Sequence, residues 1–154
     1  MEFKTHLALA FLAGIIYLSL FKNVNSYIFF PLVLFFSLLP DIDHSKSYIS
    51  RKFPIISAPI YFFFKHRGFF HSIFPAIILF ILFEYLHYPS IAFGILIGYF
   101  AHLIGDGLTK QGVNFLNPFS TLVLQGPIAT GSLTEFIIFI ILVAIDGLIV
   151  ISWF

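Results

Sequence analysis

The 154-residue chain has no cysteine. That excludes disulfides, thiolate-bound zinc or iron–sulfur centres and a thiol nucleophile. Charge is equally scarce. Asp, Glu, Lys and Arg together make up 10% of the residues, against about 25% in an average soluble domain. The formal net charge is +1, so no basic field draws the chain to nucleic acid. What fills the space is apolar: 60% of the residues are hydrophobic and 23 are Phe. Fifteen charged side chains, eight basic and seven acidic, cannot solvate a globule of that composition. A soluble domain and a disordered chain are both excluded. The length suits a single transmembrane domain over residues 1–154, with room for about five crossings of about 20 residues each.

The apolar runs predict an all-α helical bundle. Crossings are expected at Leu7–Phe21, Tyr27–Leu39, Phe69–His87, Ile91–Leu108 and Leu133–Phe154. Phe53–Phe64 is also apolar, but it is short and holds Pro54 and Pro59. It reads as a re-entrant or interfacial segment near 53–64. Lys4 before an apolar run resembles the start of a signal peptide, but no small-x-small cleavage site follows near Phe21–Tyr27. The first segment is therefore expected to be a retained helix.

Five crossings place the start of the first helix, the end of the second, the start of the third, the end of the fourth and the start of the fifth on one side. That side holds Lys4, Lys46, Arg51, Lys52, Lys65, Arg67 and Lys110, and the other side only Lys22. By the positive-inside rule it is cytoplasmic. The same side gathers the polar residues. Five of the six His lie there: His6, His44, His66, His71 and His102, together with Asp41, Asp43 and Asp106.

Each group admits two readings. His102 and Asp106 are four residues apart and share a helix face, which suits either one metal ion or a hydrogen-bonded helix end. Asp41-Ile42-Asp43-His44 follows Pro40. Residues two apart in an extended or turn conformation face the same way, so the two acids can bridge cations or merely meet water. His66, Arg67 and His71 bracket a helix start, where phosphate is favoured and Arg offers a fork donor. The alternative there is interfacial snorkelling by Lys65 and Arg67.

Jointly, five His and three Asp at one depth form an N/O ligand set suited to Zn, Mn or Fe rather than Ca. The surplus over three or four ligands suggests two ions, or one ion with outer partners. Glu84 and Asp146 lie about 20 Å along their helices from this cluster, and a structural or protonated role is expected for them.

Several motifs occur in order: Thr5-His6, Leu39-Pro40-Asp41-Ile42-Asp43-His44, His66-Arg67-Gly68-Phe69-Phe70-His71-Ser72 and His102-Leu103-Ile104-Gly105-Asp106. Leu108-Thr109 and Gly112-Val113-Asn114-Phe115-Leu116-Asn117-Pro118-Phe119 follow. Over Thr5 to about Ser120 the chain resembles the predicted membrane-bound metal-dependent hydrolases, the YdjM-like integral membrane family. The resemblance implies a small inner-membrane helical protein with a divalent-metal hydrolase site. His6, Asp41, Asp43, His44, His66, His71, His102 and Asp106 are the residues it marks. The His-x-x-x-Asp pair also bears a distant likeness to zinc-dependent phospholipase C.

The functional expectation is a membrane-embedded hydrolase of a phosphoester in a lipid or lipid-like substrate. Its metal ligands are expected to be His6, Asp41, Asp43, His71, His102 and Asp106, holding one or two ions, with Zn preferred over Mn or Fe. His44 or His66 would act as outer ligand or general acid/base. Arg67, with Lys110, would hold the phosphate. The alternative is a non-enzymatic membrane protein, either a metal transporter or an anchored regulator. A transporter should carry its polar groups near the midplane, which here is almost bare.

Overall fold

A computed structural model describes residues 1–21, 23–44, 47–55, 57, 58 and 68–153. The described secondary structure is helical. It comprises α1 (Phe3–Leu20), α2 (Ser26–Phe36), the short α3 (Tyr48–Lys52), α4 (Phe74–Tyr85), α5 (Pro89–Gly107) and α6 (Leu133–Ile151). Two 3-10 turns, Leu39–Asp43 and Phe69–His71, carry much of the polar chemistry. The only extended pairings among the described residues are isolated bridges, Thr109 with Ile128 and Val113 with Leu124.

Apolar runs become helices here because lipid offers no partner for an exposed N–H or C=O. Among the described residues, four stretches are long and apolar enough to cross a membrane: Phe3–Leu20, Ser26–Asp43, Pro89–Gly107 and Leu133–Ile151. The third apolar run differs from expectation. Phe69–His87 does not form one continuous helix. It begins as a 3-10 turn, passes through extended Ser72 and then forms α4, which has 12 residues. At 1.5 Å per residue α4 is about 18 Å long, short of the hydrocarbon thickness of about 30 Å. The physical reason is Pro75 in the first turn of α4. It starts a helix readily, whereas in the interior of one begun at Phe69 it would remove a backbone hydrogen bond and crowd the preceding turn. Of the segment expected at 53–64, residues 56 and 59–64 lie outside the described residues.

α5 is the central helix, packed against α1, α2 and α4, while α6 packs on α1. The core is Ala10, Tyr17, Phe29, Val33 and Ala101, joined by a second cluster of Ala76, Tyr99, Leu103 and Val113. The approach of α2 to α5 is unusually close because glycines face it. A Cβ at Gly98 would lie 2.3 Å from the Val33 carbonyl oxygen, and one at Gly94 would lie 2.9 Å from Leu32 Cβ. This is the small-residue packing that lets membrane helices gain van der Waals contact. The start of α6 is tied to the start of α1. Glu135 accepts hydrogen bonds from the backbone N–H groups of Glu2 and Gly131, each at 2.6 Å. The Ser132 side chain meanwhile caps α6. The first turns of α1 and α6 therefore lie at the same end of the bundle.

Candidate metal centre at one end of the bundle

The close α2–α5 crossing sets the site. His102 lies one turn beyond Gly98 on α5, and the Ser37 carbonyl lies just past the end of α2. His102 Nδ1 donates to that carbonyl at 2.7 Å. A carbonyl can only accept, so the N–H of the neutral ring is on Nδ1 and Nε2 presents a lone pair. That Nε2 is buried and has no hydrogen-bond partner among the described residues. It points at carboxylates, 3.7 Å from Asp106 Oδ2 and 3.9 Å from Asp41 Oδ1.

His6 enters from the first turn of α1. Its ring stacks on His102 with centroids 4.0 Å apart and planes at 11°. Gly105 makes room for it, since a Cβ there would sit 3.0 Å from His6 Nδ1. His6 Nε2 lies 3.4 Å from Asp106 Oδ1. Neither ring nitrogen of His6 makes a hydrogen bond among the described residues.

His71 enters from the 3-10 turn before α4. Asp43 Oδ2 is 3.0 Å from its Nδ1 and Asp41 Oδ1 is 3.4 Å from its Nε2. The two acids thus face opposite nitrogens of one imidazole. Asp43 is fully buried and meets the cluster through its contact with His71, the place of an orienting carboxylate behind a candidate ligand. His71 lies outside the four stretches long and apolar enough to cross a membrane. Burial works against its charged form, but the hydrogen bonds and negative charges of Asp41 and Asp43 outweigh this and push the imidazole up to about 9.

His6, Asp41 and His102 form one group whose ligand atoms lie within 4.8 Å of one another, and His71, His102 and Asp106 form another. His102 belongs to both. The set fits a divalent ion. It offers buried imidazole nitrogens without hydrogen-bond partners, beside carboxylates and at the C-terminal end of α5, where the helix dipole favours positive charge.

The cluster opens through Asp41, whose side chain is 22% exposed, to a cavity of about 500 Å³. Lys4, Asp41, His44, Arg51, Asp106 and Gln111 are among its lining residues. Serines hold the wall that carries Arg51. The Ser47 hydroxyl donates to the Asp41 carbonyl at 2.7 Å, and the Ser50 hydroxyl donates to the Ile42 carbonyl at 2.9 Å. Both bonds fasten α3 to the turn that bears the acids.

His6, Asp41, Asp43, His71, His102 and Asp106 therefore meet, and His44 lines the adjoining cavity. His66 and Arg67 lie outside the described residues. Lys110 is exposed and is not among the residues lining that cavity. Lys4, Arg51, Gln111 and the Ser37 carbonyl escaped the sequence reading. Lys4 and Arg51 counted there only as topological charges, and nothing in the sequence marks a backbone carbonyl as a His partner. Glu84 Oε1 and Asp146 Oδ1 are buried without hydrogen-bond partners among the described residues, away from the cluster.

The long apolar helices and the convergent cluster define a helical integral membrane protein with a His/Asp site at one end of its bundle. The chain belongs to the YdjM inner membrane protein family, which matches residues 1–153, and its location is the inner membrane. It is 42% identical over 102 residues to "Uncharacterized protein YvsG" of Bacillus subtilis (strain 168), covering 64% of this chain and 63% of the relative. It is 40% identical over 95 residues to "Inner membrane protein YdjM" of Escherichia coli (strain K12), covering 57% of this chain and 48% of the relative. The protein of the same name from Shigella flexneri matches equally. The matches thus span about half to under two thirds of these relatives. No solved structure matches the chain.

Proposed function

We propose that this protein is a metal-dependent hydrolase of a phosphoester in a membrane lipid or lipid-like molecule, working at the cytoplasmic face. The observation that carries this reading is the meeting of His6, Asp41, His71, His102 and Asp106, from four separate chain segments, beneath a cavity bearing Lys4 and Arg51. Ionisable groups at a membrane are costly and usually functional.

In this reading His6, Asp41, His71, His102 and Asp106 hold one or two divalent ions, zinc first, with manganese or iron as substitutes. A bound ion would lower the pKa of water and polarise the phosphoryl oxygens. The chain's own residues do the rest. Ser37 and Asp43 orient His102 and His71 through their Nδ1 atoms. Arg51 and Lys4 neutralise the phosphate. His44, on the cavity wall, passes a proton to the leaving oxygen as general acid.

The test is elemental analysis of the purified protein, followed by phosphate release from lipid phosphates. Stoichiometric metal, with activity lost in His102→Ala and Asp106→Ala, is the expected result. A metal-free protein whose activity survives both substitutions would overturn the proposal.

A further inference from the structure

A second cavity, of about 630 Å³, lies along the outside of α1. Leu7 and Phe11 of α1 form its floor, Leu34 of α2 one wall, and Phe139 and Val143 of α6 the other. It shares Lys4 with the polar cavity above the metal centre. The Lys4 ammonium lies 5.7 Å from the ring centroids of both Phe136 and Phe139 and 2.9 Å from Glu2 Oε2. It therefore stands where the polar space ends and the apolar groove begins.

The groove runs away from the site. α6 starts at the site end, where Glu135 binds the Glu2 N–H. Phe139, Val143, Gly147 and Val150 then follow one face of α6, a distance of about 16 Å at 1.5 Å per residue. The face is open at Gly147, where a Cβ would meet no atom within 4 Å. Glycine inside a helix costs up to about 1 kcal/mol relative to alanine, and no neighbouring atom requires it here. Beside it, Asp146 is 7% exposed, and its Oδ1 has no hydrogen-bond partner among the described residues. It offers one polar contact to an otherwise hydrocarbon-lined space.

We propose that this groove holds an acyl chain of the lipid whose phosphate head group occupies the polar cavity, with Lys4 at the junction of the two. The inference rests on the lipid-phosphoester reading above and adds the substrate class, an acylated lipid phosphate bound lengthwise between α2 and α6. The sharing of Lys4 by the polar cavity and the apolar groove argues for one amphipathic ligand. The groove is lined by α1 and α6, both long and apolar enough to cross a membrane, so a lipid could enter it laterally.

The test uses the full chain in detergent with phosphatidic acid carrying a diazirine at the end of one acyl chain. After photolysis the label is mapped by peptide mass spectrometry. Label is expected on Phe139–Val150 and Leu7–Phe11, and it should fall at least tenfold in Gly147→Trp and in the smaller Gly147→Leu. Thermal unfolding and metal content should match wild type in at least the Leu variant. Phosphate release is read separately. The same variants should raise KM for long-chain phosphatidic acid about tenfold and leave a short-chain analogue unchanged. Label in the groove without phosphate release from either substrate supports the groove and refutes the hydrolase. Label spread over the outer helix faces, insensitive to both substitutions, overturns the groove whatever the activity. Chain-to-chain crosslinks through the Val143 face would assign the groove to a second copy and overturn it as well.

Discussion

His102 Nδ1 donates to the Ser37 carbonyl at 2.7 Å, and Gly98, one turn earlier on α5, is what lets α2 come that close. The bond orients the His102 ring and at the same time satisfies a carbonyl freed where α2 gives way to the Leu39–Asp43 turn. Helix packing and the geometry of the candidate site are thus one feature. The site is as rigid as the α2–α5 crossing, and it is lost if that crossing opens.

Gly98→Ala tests this coupling. The added methyl would lie 2.3 Å from a backbone oxygen, which cannot swing aside. Overpacking of this kind costs about 1–3 kcal/mol. We expect a lower melting temperature in detergent and, with it, weaker metal binding. Unchanged thermal stability together with full metal content would contradict the coupling.

Asp43→Asn tests the outer carboxylate. The amide can still accept from His71 Nδ1, but it no longer stabilises charge or pins the tautomer. Losing such a partner costs about 10–100-fold in metal affinity or activity. Competition against a chelator of known affinity reads the change.

Metal binding should depend on pH through His71. Its folded pKa is raised, to about 9, against an ordinary value of 6.5. The charged imidazole therefore stabilises the metal-free fold fully below about pH 6.5, and this support fades as pH rises through about 9. A metal ion needs the neutral ring, so uptake at pH 7 displaces a proton. Affinity should climb with pH between 6.5 and 9 by up to about tenfold per unit. Calorimetry in two buffers of different ionisation enthalpy counts the released proton, and a count of zero at pH 7 would refute the assignment.

Glu135→Gln tests the tie between α6 and the start of α1. The substitution weakens two short hydrogen bonds from backbone N–H groups in a side chain that is 2% exposed. Bonds to a charged acceptor contribute about 1.5–3 kcal/mol. We expect a drop in stability of that order by thermal denaturation. Metal content should survive, because Glu135 is not part of the cluster.

Orientation is open to a direct test. Seven cations against one predict that the site end faces the cytoplasm. Reporters inserted in the 109–132 loop should give cytoplasmic signals, and reporters near His87 periplasmic ones.

Much of this was legible from the chain alone. Long apolar runs and scarce charge dictate helices in lipid, because only hydrogen-bonded helices or closed barrels satisfy the backbone there. The alternation of the expected crossings by itself brings His6, Asp41, His71, His102 and Asp106 to one end. The break in the third apolar run was not legible. Hydropathy records that Phe69–His87 is apolar, whereas Pro75 and extended Ser72 decide where the helix begins.

The sequence by itself determined the solvent, the helical class and the gathering of the polar groups at one end of the bundle, since these follow from composition and period. Only the tertiary structure decided the roles within that set. Asp43 stands behind His71 instead of alongside it, Arg51 reaches the cavity on an α3 held by serines, and a backbone carbonyl selects the His102 tautomer. Each of these depends on the distance between segments far apart in the chain. Those distances are set by steric contact between helices, such as the fit of Val33 against Gly98, which no local pattern encodes.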